Sequence, residues 1–82
     1  MPQKLVNKSG LGTQLKNLRL ESGFGVSELA RYMQLLGCDI TRECLVKIES
    51  EKHNVSMEQL HALKNALKVS YDRIFAFLEE EK

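Results

Sequence analysis

Between Thr41 and Asn54 the chain gathers the side chains best suited to recognising another molecule: Arg42, Glu43, Val46 and Lys47, then Lys52, His53 and Asn54. The Thr41 hydroxyl can cap the free first-turn amides of a helix. Leu45 and Ile48 supply that helix with an inward face, which leaves Arg42, Glu43, Val46 and Lys47 outward. On a helix laid in the major groove of a duplex, outward residues of this kind reach base edges. Arg42 can bond guanine O6 and N7 in bidentate fashion, and Lys47 can do so as a point charge or grip a phosphate. Glu43 can accept from a cytosine amine, and Val46 can touch a thymine methyl. Short helices generally turn charges to water, so the same four residues also suit a merely hydrated face.

Other chemistries find less support. Cys38 and Cys44 match no two-residue-spaced metal knuckle, even with His53 and His61 as further ligands, so both are expected to be ordinary thiols and no metal is expected. Neither His has the spacing of a catalytic pair, no glycine-rich phosphate loop occurs, and a chain of this size seldom encloses a substrate pocket. The expectation is a protein that is not an enzyme, with no cofactor and no small-molecule substrate.

The elements that must position this set fit one domain. The chain has 82 residues, 43% apolar and 28% charged, which is enough to bury a core. Its net charge of +1 means that any binding of nucleic acid must come from a local basic patch. The basic residues Lys4, Lys8, Lys16, Arg19, Arg31, Arg42 and Lys47 outnumber the acids in the first part, whereas the chain closes on Glu79, Glu80 and Glu81. No apolar run approaches the roughly 18 residues of a membrane span, and the first residues lack the apolar segment of a signal peptide. A cytoplasmic protein without a membrane partner is expected.

The single proline, Pro2, leaves the interior free to be helical, and apolar residues recur at three- and four-residue steps. The spacing predicts five helices and no strand. Leu11, Leu15 and Leu18 face inward on the first, with Ser9 as N-cap and Gly23 as its stop. Leu29, Ala30, Met33 and Leu36 line the second, ending at Gly37. The third spans about 41–50. The fourth opens on a capping box between Ser56 and Gln59 and carries Leu60, Leu63 and Leu67. Ser70 starts the fifth, which presents Tyr71, Ile74, Phe75 and Leu78 and leaves Phe77 on the other face as a possible exposed contact. Five short helices cannot align as a long bundle, so an all-α, compact orthogonal bundle is expected. An N-terminal arm (1–8) precedes the helical domain (9–78), and an acidic tail (79–82) follows it.

Residues 11–75, about four-fifths of the chain, carry a dispersed set of matches: Leu11-Gly12, Leu15, Leu18-Arg19, Gly23, Glu28-Leu29-Ala30, Ile48-Glu49, Ser56, Leu60, Leu63, Ala66-Leu67, Val69-Ser70 and Ile74-Phe75. In this pattern the chain resembles the helix-turn-helix domain of the Cro and lambda-repressor family, also called the xenobiotic-response-element family of bacterial and phage regulators. The resemblance implies a five-helix lambda-repressor-like bundle and a sequence-specific transcriptional regulator of double-stranded DNA, a repressor in its usual form. It also implies that Arg19 and Glu49 form a partly buried ion pair that fixes the recognition helix.

Two departures stand out. The family places Ser-Gln at the start of helix 2, where the Gln amide holds a phosphate, but this chain has Gly25-Val26. The stretch from Ala30 to Ile40 also exceeds the usual linker by more than a helical turn, which predicts a longer second helix with Cys38-Asp39 in the turn. Phosphate contacts are expected instead from Thr41, Lys52, His53 and Asn54, and from Lys8 or Lys16. A single short recognition helix implies a homodimer on a two-fold symmetric operator. Leu60, Leu63, Phe75 and Leu78 would be either its seam or plain core. The competing expectation is a protein-interaction module of the same fold, an antagonist or antitoxin without DNA affinity, which Gly25-Val26, Glu43 and the near-neutral charge favour.

Overall fold

Where the helices of this chain begin and end is set by how their terminal backbone groups are satisfied. A computed structural model of the chain describes residues 10–81, with side chains as far as Leu78; the arm 1–8, with Lys8, and Ser9 lie outside the described residues. The elements are α1 (Leu11–Glu21), α2 (Val26–Leu35), α3 (Arg42–Glu49), α4 (Met57–Leu67) and the single turn α5 (Tyr71–Ile74), which continues as a 3₁₀ segment over Phe75–Glu81. Among the described residues there is no strand, and no helix is long and apolar enough to cross a membrane.

Three N-termini follow the expected chemistry. Thr41 Oγ1 accepts from the Cys44 amide at 3.1 Å, Ser70 Oγ from the Arg73 amide at 3.0 Å, and Ser56 Oγ from the Gln59 amide at 3.1 Å. Gln59 Oε1 in return accepts from the Ser56 amide at 2.9 Å, completing the capping box. The first helix differs. Its N-cap is Gly10, not Ser9, and the missing acceptor comes from Glu51, whose carboxylate receives the Thr13 amide at 3.2 Å and the Thr13 hydroxyl at 2.8 Å.

Three of the helix ends share one device. After α2, the Gly37 amide bonds the Gln34 carbonyl and the Cys38 amide bonds the Met33 carbonyl, both at 3.0 Å, with Gly37 at φ +98. This is a Schellman closure, and it stops the helix at Leu35 with Leu36 as C-cap, short of the predicted Gly37. Leu36 therefore leaves the inward stripe and is 47% exposed, while Cys38 turns inward beside Met33. The same pattern closes α1 at Gly23, and it closes α3 at Glu51, which adopts φ +66 without being glycine.

Leu11, Leu15, Leu18, Leu29, Met33, Ile40, Leu45, Ile48, Leu60, Leu63 and Ile74 form a single fully buried centre. Leu60 and Leu63 are thus core and not a dimer seam. The fifth helix departs from expectation because the chain tightens after Ile74. In a 3₁₀ turn residues three apart eclipse, so Phe77 rather than Leu78 follows Ile74 inward. Phe77 packs against the core with its ring over Gly10, Phe75 is half-buried, and Leu78 is 50% exposed.

Candidate nucleic-acid interface

The recognition candidate α3 is held on two sides by the rest of the molecule. Its inward residues Leu45 and Ile48 are fully buried, and α1 and α2 both pack against it. At its end the contact with α1 is backbone to backbone. A Cβ on Gly12 would run into the Ile48 carbonyl oxygen and lie 3.2 Å from that of Glu49, so only glycine lets the start of α1 sit this close.

Beside that contact lies the ion pair that the family resemblance implied. Arg19 donates from Nε to Glu49 Oε2 at 2.8 Å and from Nη2 to Glu49 Oε1 at 2.9 Å, while Nη1 donates to the Phe24 carbonyl at 2.9 Å. Both residues are buried. The guanidinium thereby joins α1, the turn before α2 and the last residue of α3 through three charge-assisted bonds. Such a pair adds little net stability after desolvation, but it fixes orientation.

With the inward side occupied, Arg42, Glu43, Val46 and Lys47 are all exposed on the outer side of α3. No ion pair among the described residues involves Arg42 or Lys47. Val46, 39% exposed, shares a shallow cleft of about 200 Å³ with Lys16, Val26 and Ser50, whose inner wall is Arg19 and Glu49. The cleft brings together Val46, a base-reading candidate, Lys16, a phosphate candidate, and Val26, the position where the family that the sequence resembles carries Gln. Thr41, Lys52, His53 and Asn54 are exposed as well. The Lys52 and His53 amides both donate to the Lys47 carbonyl, at 2.8 and 3.2 Å, which folds the loop back over the last turn of α3.

Glu51 was not singled out by sequence reasoning. It sets the α3–loop reversal through its positive φ and anchors the start of α1 through its carboxylate. Its one sequence signal is its place directly after Ser50, where a glycine C′ residue would ordinarily stand. Among the described residues no group of three or more His, Cys, Asp or Glu could hold a metal ion. Comparison with protein-family models gave no match, and comparison with curated proteins gave none either.

Proposed function

We propose that this chain is a sequence-specific double-stranded-DNA-binding transcriptional regulator of the repressor kind, built on a lambda-repressor-like bundle. The observation that carries this reading is the outer face of α3. It bears Arg42 and Lys47 exposed and unpaired among the described residues, on a helix locked to its scaffold by Arg19 and Glu49. Arg42 and Lys47 read or grip the major groove, with Glu43 and Val46 adding preference at neighbouring base pairs. Lys16, across the cleft from Val46, takes over the phosphate contact that the family's helix 2 Gln supplies, aided by the uncapped first-turn amides of α2. Thr41, Lys52, His53 and Asn54 hold the register. Two such units on paired half-sites give the specificity that one eight-residue helix lacks.

A second reading, a protein-interaction module that has given up DNA, draws on the exposed carboxylate of Glu43 amid the reading face and on Gly25-Val26. Selection of bound duplexes from a random pool separates the two. The first reading requires an enriched motif, arranged as two half-sites about one helical turn apart; a pool that stays random through successive rounds overturns it.

A further inference from the structure

On the side of the molecule formed by α2 and the end of α4, an open groove of about 650 Å³ is unoccupied by any part of the described chain. Its floor is apolar. The rings of Phe24 and Tyr32 stack with centroids 5.8 Å apart, beside Leu35, Ala66 and Leu67. Leu35 is 77% exposed, more than any other large apolar residue described. Three charged residues stand at the rim, Glu28, Arg31 and Lys68. The Glu28 carboxylate already accepts from the Gly25 amide at 2.8 Å, whereas neither Arg31 nor Lys68 joins an ion pair among the described residues. A fitting occupant is therefore apolar at one point and anionic beside it.

The chain itself carries such a segment. Just past Lys68, α5 is tied by Arg73 to Glu21 at 2.7 Å, next to Ser22 at the groove. From there the chain runs along α1 until Phe77 reaches Gly10 at the far end of that helix. Eleven residues of helix span about 16 Å, so Phe77, beside Gly10, lies well away from the groove beside Ser22. Immediately beyond Phe77 come Leu78, half exposed, and then Glu79, Glu80 and Glu81. If two copies lie with these segments antiparallel about a two-fold axis, each tail is carried toward the groove of the other, and the contact is reciprocal and closed.

We propose that the α2–α4 groove receives the segment Leu78–Glu81 of a second copy of this chain, with Leu78 on the apolar floor and the carboxylates at Arg31 and Lys68. The dimer so formed does not require DNA, and the inference does not rest on the DNA-binding reading.

Sedimentation equilibrium of the full chain at low salt, without DNA, tests it with two charge-reversed variants. One reverses the groove (Arg31→Glu with Lys68→Glu) and the other the tail (Leu78→Lys with Glu80→Lys). Circular dichroism checks that each is folded. Wild type is expected to dimerise, and each variant alone to associate about tenfold or more weakly, because apolar contact is lost or like charges meet. An equimolar mixture of the two is expected to associate more tightly than either, because opposite charges then meet at both contacts. A wild type that stays monomeric at concentrations on the order of 1 mM, a tail variant that dimerises as tightly as wild type, or a mixture no tighter than its components overturns the proposal. Duplex binding by a monomeric wild type would refute this interface and leave the DNA-binding reading standing.

Discussion

Arg19 and Glu49, thirty residues apart in the chain, meet through two parallel hydrogen bonds of 2.8 and 2.9 Å in a largely buried site. The pair connects the last turn of α1 to the last residue of α3, so the orientation of the outer face of α3 depends on a fork that has only one good geometry. Removing one partner leaves the other charged and buried. Arg19→Ala is expected to cost about 3 kcal/mol or more in urea denaturation. Replacing both residues by methionine is expected to cost less than either single change. At a temperature where both proteins are folded, Arg19→Ala should bind duplex more weakly than wild type although Arg42 and Lys47 are untouched. Equal binding would remove the positional role.

In the proposed reading, Arg42 on α3 and Lys16 on α1 differ in what they contact, a base edge and a phosphate. Arg42→Ala is expected to lose about 1–3 kcal/mol on the selected operator and far less on random duplex, because a bidentate base contact discriminates between sequences. Lys16→Ala is expected to weaken both alike and to lower the salt slope by about one, as the loss of a phosphate contact does. Quantitative gel shifts on the two duplexes measure both.

Gly12 admits the start of α1 to the carbonyls at the end of α3. Gly12→Ala must push those backbones apart, at a cost of about 1–3 kcal/mol. In an exposed helix the same change stabilises, since alanine is the better helix former. A thermal melt of the variant above that of wild type would contradict the packing described.

Glu51 holds two opposed effects in one residue: the left-handed φ that a Cβ disfavours and the carboxylate that caps α1. Glu51→Ala keeps the strain and loses the cap, so a loss of about 1 kcal/mol is expected. Glu51→Gly loses the same cap but relieves the strain, so it should be the more stable of the two by about 1 kcal/mol. Chemical denaturation of the pair gives the ordering directly.

The Cys38 thiol is pushed above its ordinary pKa by burial, with Glu58, Asp39 and Cys44 adding to the shift. The unfolded chain therefore releases this proton first. From about pH 8.5 upward it binds fewer protons than the folded chain, and stability falls with rising pH. Comparing urea midpoints at neutral and alkaline pH, wild type is expected to lose more than Cys38→Ala does; equal losses would mean that the thiol is not held neutral.

The sequence disclosed the local rules better than the distant ones. Thr41, Ser56 and Ser70 announced their helices because a cap acts within three residues, and the core was readable wherever periodicity alone decided it, as at Leu45, Ile48, Leu60 and Leu63. Arg19 and Glu49 were paired through the family resemblance, not through anything in their spacing. The reach of Glu51 to Thr13, across 38 residues, and the contact of Gly12 with α3 are tertiary facts without a local signature. The exchange of Phe77 for Leu78 turned on a change from 3.6 to 3 residues per turn, which the apolar pattern at the end of the chain fits almost equally well.

The central claim is that α3 places free cations against a nucleic-acid backbone and bases, and a salt titration of binding to random duplex tests it most directly. Neutralised phosphates release counterions, so log affinity should fall linearly with log salt, and Lys47→Ala should flatten that slope by about one. A chain that gives no measurable duplex binding at low salt, or one whose binding is indifferent to salt, would contradict it.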